Sequence, residues 1–411
     1  MHHRQSVDSQ IEKFKRIYPS FIHLCYCLAF VTLLTTSCVS NNPLRRLTNN
    51  TPVVDAADKT LWLMEASGPD RDRAIEDDIP PPLNGVFEFK IGGETLHTSP
   101  VAVSENMLIA EGPRKLYALD LISGDTLWDF NVAGAFLSPA MDDTRVFIRA
   151  EAGTEGFLVA LDSVAGEIQW IHQFPFVGSS GGNLGGHVTS PIVFGDLVIV
   201  GASSTLVAFD KNNGAEVWSF KADEAIASGA AIENNTVFFT DLLGAYALDL
   251  QTGQELWHYK HEILSLLFAP ILTQDSVLIT GGDTVFALEK TSGEAQWVRN
   301  FNDVPVIPAG ATADTAYVKS TTELIALDLA DGKRLWSFEA LNFVSMPALT
   351  QDHAYVITRA DGGSQLRGLQ LSDGKEVWRL DDDQLANAAP VAAGGKIYVR
   401  SVNGVVYAYQ P

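Results

Sequence analysis

The chain has 411 residues, 46% of them apolar and 19% charged, with a formal net charge of −22, so it can bury a large core or close a repeat array. Such an acidic surface, with no basic cluster, cannot neutralise phosphates, which argues against nucleic acid as a partner. The three cysteines, Cys25, Cys27 and Cys38, all lie in the first tenth of the chain, so neither a disulfide framework nor a thiolate metal site is available further on.

Lys13, Lys15 and Arg16 precede "IYPSFIHLCYCLAFVTLLTTS", residues 17–37, which carry no formal charge apart from the titratable His23. A basic flank, an apolar stretch and small residues before a cleavage point describe a secretory signal. The end, "LLTTSC", resembles a lipoprotein signal, which implies removal of residues 1–37 and lipidation of Cys38. Thr35 departs from that pattern, whose commonest form has Leu there. The same segment is also long enough for an uncleaved anchor across ~30 Å of hydrocarbon. Residues 38–80 lack periodicity and are rich in Asn, Asp and Pro, so they read as a flexible tether. Trp62, in "TLWLM", is the one tryptophan outside the pattern that follows.

From residue 81 a repeat governs the chain. "YALDLISGDTLW" at 117–128 returns as "YALDLQTGQELW" at 246–257 and "IALDLADGKRLW" at 325–336. Its tryptophans are Trp128, Trp170, Trp218, Trp257, Trp297, Trp336 and Trp378, spaced by 42, 48, 39, 40, 39 and 42 residues. Each has a glycine four positions earlier: Gly124, Gly166, Gly214, Gly253, Gly293, Gly332 and Gly374. Each unit divides into four short strands; in the first these are "SPVAV", "MLIAEG", "KLYALDL" and "DTLWDF". A four-stranded unit with a period near 40 indicates a β-propeller blade. The second strand occurs eight times and the Trp strand seven. "GVFEFKI" at 85–91 supplies the eighth, with Phe87 in the tryptophan slot, 41 residues before Trp128. The expected fold is therefore an all-β, eight-bladed propeller over 81–411. Its last blade pairs the N-terminal strand with the chain's C-terminal end, which removes the open edge of the ring.

Each repeated residue has a physical role. Asp120 can accept backbone N–H bonds and hold a turn. Gly124 can adopt a positive φ, and Ala118 keeps the sheet thin. Trp128 offers ~150–250 Å² for burial against the next blade. The unit resembles the PQQ-type, or tryptophan-docking, repeat of eight-bladed propellers. Departures are local: Glu289 and Gln370 replace Asp, Gly368 replaces Ala, and weaker turns are expected in those blades.

Quinoprotein dehydrogenases carry this repeat, but their active sites use adjacent cysteines and large insertions that this propeller lacks. No cofactor, metal or catalytic residue is therefore expected, and a quinoprotein-type oxidoreductase is the lesser alternative. "GSSGG" at 178–182 matches G-x-S-x-G around Ser180 without the strand–turn–helix setting that motif needs. His172 and His187 lack metal-ligand spacing, and "DDD" at 381–383 lacks the Gly and Glu of a calcium loop. A lipidated terminus, a tether and a catalytically empty propeller together resemble the BamB family of envelope lipoproteins. That resemblance implies an outer-membrane, periplasm-facing scaffold, monomeric and lipid-anchored, that binds the outer-membrane barrel insertase. An envelope propeller with a different partner is the alternative. The family's partner-binding loops carry an Arg and an Asp-x-Asp. "NLGGHVTSP" (183–191) has no Arg, "DEAIASG" (223–229) lacks the acidic pair, and "NDVPVIP" (302–308) keeps only Asp303, so no partner-binding residue carries over.

Overall fold

In the first repeat, Ala102–Val103, Met107–Gly112, Lys115–Asp120 and Thr126–Asn131 pair in that order as an antiparallel sheet. The computed structural model describes residues 60–91, 100–112, 115–131, 138–152, 155–174, 189–260, 268–360 and 363–411. Among these residues every regular element is a strand, and the strands form eight such four-stranded sheets, arranged as the expected eight-bladed propeller. The second strand of blade 1, "MLIAEG", is buried at every position, whereas the outer strand buries only Trp128 and Phe130. Inner strands are covered on both faces and read as continuous apolar runs. Outer strands show alternation because one face meets solvent.

The repeated tryptophan and glycine meet between blades. Gly166 has φ +68°, and a Cβ on it would lie 2.6 Å from the Trp128 ring of the preceding blade. The same stack recurs as Trp170 on Gly214, Trp218 on Gly253, Trp257 on Gly293, Trp297 on Gly332 and Trp336 on Gly374. Each indole also donates its Nε1–H to a backbone carbonyl in that turn: Trp128 to Ser163 at 2.8 Å, Trp170 to Lys211 at 2.9 Å and Trp218 to Leu250 at 2.8 Å. Trp257, Trp297 and Trp336 do the same with Lys290, Leu329 and Leu371. Burying ~150–250 Å² at ~25 cal/mol/Å² gives about 4–6 kcal/mol gross per tryptophan, an upper bound before ordering costs.

The turn is pinned as anticipated: the Asp120 carboxylate accepts from the backbone N–H of Ile122 at 2.9 Å and of Ser123 at 2.7 Å. Glu289 corrects the expectation of a weaker turn. Its Oε2 accepts from the N–H groups of Thr291 and Ser292 at 3.0 and 2.6 Å, so the extra methylene is absorbed. Gln370 instead turns its amide to the Asp352 carbonyl.

Blade 8 closes the ring with both chain ends. Asn84–Lys90 pairs with Val405–Gln410, Phe87 opposite Ala408 and Glu88 opposite Tyr407. Phe87 holds the slot that Trp128 holds opposite Ala118, and its ring covers Gly124. Because these two strands are chain ends, no turn joins them and Trp378 has no glycine to lie on; it packs among the side chains of the closing blade.

Residues 60–79 depart from the expected tether. This segment, the strap, circles the inside of the ring, bonding to blades 4, 5, 6 and 7 at Pro69, Asp70, Asp72 and Arg73 and taking more residues elsewhere. Thr60 accepts from the Gly394 N–H, and Trp62 exchanges two backbone bonds with Val103. The carbonyls of Leu63, Pro69, Asp70, Asp72 and Arg73 then accept from the N–H groups of Met141, Ile232, Leu272, Ala311 and Leu349, at 2.7–3.0 Å. Asp77 returns to the start, its Oδ2 accepting from Gly395 N–H at 3.0 Å. Trp62, Met64, Ile75 and Ile79 are buried against the blades. Residues 1–59, with the predicted signal, Cys38 and the first part of the tether, lie outside the described residues.

Candidate functional site

The inner strands all point one end toward the strap. The strap's carbonyls meet the ends of these strands that lead into the first hairpin of each blade. The opposite end of the ring carries the connections between blades, and Arg71 reaches there, to the residues just before the inner strand of blade 4. Arg71 is 2% exposed; its Nε donates to the Ala230 carbonyl and its Nη1 reaches Glu65 Oε2 at 3.1 Å. Gly229 makes room for it, since a Cβ there would lie 2.1 Å from Arg71 Nη2.

Charged groups on the inside of the ring shift one another. Burial pushes the Glu65 carboxyl up, but Arg71, Arg73 and a hydrogen bond with Ser190 outweigh it and hold Glu65 below the ordinary value. Burial lowers Arg73 to about 10, with Glu65 opposing that shift. Burial, reinforced by Arg73, also lowers Lys319, whose Nζ donates to the Phe343 carbonyl at 3.0 Å. Glu65 thus sits among Arg71, Arg73 and Lys319 on the inside of the ring of a strongly acidic protein.

A cavity of about 170 Å³ opens beside Glu65, between Ser190, Ser228 and Phe268. Another of about 390 Å³ lies on the seam, between Phe87, Tyr407 and Tyr409. The first is smaller than the ~300–1,000 Å³ typical of cofactor-sized sites, and the second lies on an outer strand, away from the axis. The residues at the axis do not fit a quinone cofactor. The channel holds the chain's own arginines, and all three cysteines fall in the first tenth of the sequence.

The loops compared with partner-binding segments are tied internally. In the 223–229 stretch, Glu224 N–H donates to Asp241 Oδ2 at 2.9 Å, and Asp223 N–H donates to the Tyr246 hydroxyl at 3.2 Å. That hydroxyl donates to Asp241 at 2.8 Å, while the Asp223 carboxylate pairs with Lys260 at 2.8 Å. Asp303 has a positive φ of 68° and its N–H donates to Asp283. Of the two acidic side chains of 223–229, Asp223 is thus in an exposed ion pair with Lys260. In the 183–191 stretch only Thr189 onward is described, and Thr189 Oγ1 accepts from Gly201 N–H at 2.8 Å.

The remaining candidates separate. His172 stacks edge-on with Phe174, and burial lowers its pKa. Ser180 and His187 lie outside the described residues. Asp382 caps its own turn, accepting from Gln384 N–H at 2.9 Å. Among the described residues no three His, Cys, Asp or Glu side chains gather as metal ligands. Sequence reasoning missed Glu65, Arg71 and Arg73 altogether. The one signal for them is the apolar "TLWLM" just upstream, which a solvated tether would not require.

The family model described as "Outer membrane protein assembly factor BamB" matches residues 51–205, 202–340 and 323–411. The protein of that description from Burkholderia pseudomallei is 25% identical over 346 residues, covering 76% of this chain and 84% of its own length. The crystal structure of BamB from Moraxella catarrhalis superposes with a TM-score of 0.62 at 20% identity, covering 80% of this chain and 98% of that one. Quinohemoprotein alcohol dehydrogenase from Comamonas testosteroni superposes with a TM-score of 0.70 at 15% identity, covering 87% of this chain and 81% of that one. At these identities the two structural likenesses speak for the ring alone.

Proposed function

Since the chain belongs to the outer membrane protein assembly factor BamB family, we propose that it is a non-catalytic scaffold of the cell envelope that binds protein partners in outer-membrane protein assembly. Lipidation of Cys38 would anchor it, with the propeller facing the periplasm and residues 39–59 as a shortened tether. The observation that carries this reading is the family match through all eight blades, from residue 51 to the C-terminus. The filled axis supports it, because a channel occupied by Arg71, Arg73 and Glu65 leaves recognition to the loops and rim of a rigid ring. Loops held on such a scaffold commonly carry binding.

Affinity purification of the full-length chain from native membranes tests the reading. Recovery of the barrel insertase in stoichiometric amount is the expected result, and its loss from the membrane fraction in a Cys38→Ser variant supports the anchor. Reproducible absence of the insertase, with other envelope proteins recovered, would overturn the assembly role and leave a propeller with a different partner.

A further inference from the structure

We propose that the inner rim of the ring is a peptide-binding site and that residues 60–79 are its tethered ligand. The strap is built like a ligand and unlike a blade. None of its residues belongs to a four-stranded sheet, and its contacts with the strands are isolated bridges such as Trp62 with Val103 and Ala74 with Leu349. Blades 1, 2, 4, 5, 6 and 8 each turn one backbone N–H, and blade 7 two, those of Leu349 and Gln351, toward a strap carbonyl that accepts. Main-chain carbonyls carry no side-chain information, so these bonds would hold any peptide able to follow the circle.

Selectivity comes from the side chains. Arg71 needs the Ala230 carbonyl and the bare Cα of Gly229. Blade 6 presents another glycine to the strap: a Cβ on Gly310 would stand 2.9 Å from the Asp72 carbonyl oxygen. The strap also supplies its own counterion, Glu65, for the two buried guanidiniums. The class of ligand is thus a peptide with two basic residues at i and i+2, both left-handed (φ 58° and 59°), and an acidic residue six positions before the first, with a turn at Ala66 and Ser67 between them. The link to the first blade strand runs through exposed Pro80 and Pro82, so the ligand can be severed without cutting a strand.

The test uses the full chain with a protease site inserted in the Pro80–Pro82 stretch and cleaved in the folded state. The N-terminal fragment should remain with the ring through gel filtration. A labelled synthetic peptide of residues 60–79, added in excess, should exchange into the cleaved protein. The same peptide with Arg71→Ala and Arg73→Ala should bind about tenfold weaker or worse, as loss of charged hydrogen bonds implies. Uncleaved protein should take up no peptide, because the tethered copy competes at an effective concentration of ~mM. Departure of the fragment from a ring that keeps its melting temperature would overturn the proposal. So would unfolding on cleavage, which would make the strap part of the fold, or equal uptake of both peptides.

Discussion

Gly214→Ala measures what the docking of a tryptophan on a glycine is worth. Gly214 has φ +70°, and an added Cβ would fall 2.6 Å from the Trp170 ring. A left-handed conformation costs alanine about 1–2 kcal/mol. Displacing the indole also weakens the Trp170–Lys211 hydrogen bond of 2.9 Å, worth about 0.5–1.5 kcal/mol. Part of the contact between Trp170 and the rings of Phe147 and Phe209 would go with it, at about 0.5–1.5 kcal/mol per aromatic pair. The total is about 2–4 kcal/mol. Gly195→Ala is the control, since Gly195 has φ +56° with nothing within 4 Å of a new Cβ, and only the backbone cost of about 1–2 kcal/mol applies. Urea unfolding followed by tryptophan fluorescence should order the midpoints wild type, Gly195→Ala, Gly214→Ala. Equal midpoints for the two alanines would refute the stacking argument, because both glycines would then serve backbone conformation alone.

Phe87→Trp should stabilise the seam by about 1 kcal/mol, because an indole there can donate to the first-blade turn as the other six do; an unchanged or lower melting temperature would contradict this. Glu289 is held down to about 2 by hydrogen bonds from Thr291 and Ser292. A lowered carboxyl stabilises above its unfolded pKa and stops doing so as pH falls through the folded one. The stability difference between wild type and Glu289→Gln should therefore be full above pH 4.5, shrink below it and vanish near pH 2, as read from urea midpoints across that range. Deleting 401–411 removes Val405–Gln410, the partner of Asn84–Lys90, and should abolish the cooperative transition. A truncated chain that melts like the intact one would argue against closure by the two ends.

The ring was legible because its determinants are local and repeated. Trp and Gly four apart, with Asp before them, encode one turn, and that turn's contact with its neighbour recurs at six junctions, with Phe87 in the tryptophan's place at a seventh. Phe87 was legible for the same reason, since its position is fixed by the missing outer strand. The strap was not, because each of its residues answers to a different blade. A segment bonding once to Met141, then to Ile232, then to Leu272 has no period to read. Arg71 and Arg73, in "GPDRDRAIEDD", look like solvated charges; they are buried because backbone carbonyls and Glu65 meet them, partners distant in sequence or hidden in a segment taken for a tether. The turn at Glu289 was misjudged on side-chain length, which a flexible loop accommodates. The binding face was not legible either, since of the acidic loop residues singled out in the sequence Asp223 pairs with Lys260 and Asp303 is tied through its backbone to Asp283.

The account depends on a ring whose axis is sealed by its own chain, leaving binding to its faces. Amide hydrogen exchange on the intact protein reads this directly at the N–H groups of Met141, Ile232, Leu272, Ala311 and Leu349, which donate to the strap. Sealed, these amides exchange as slowly as those inside the second strands of the blades. Exchange as fast as in the exposed turns, with the blade strands still protected, would mean that the channel stands open and that the strap does not close it.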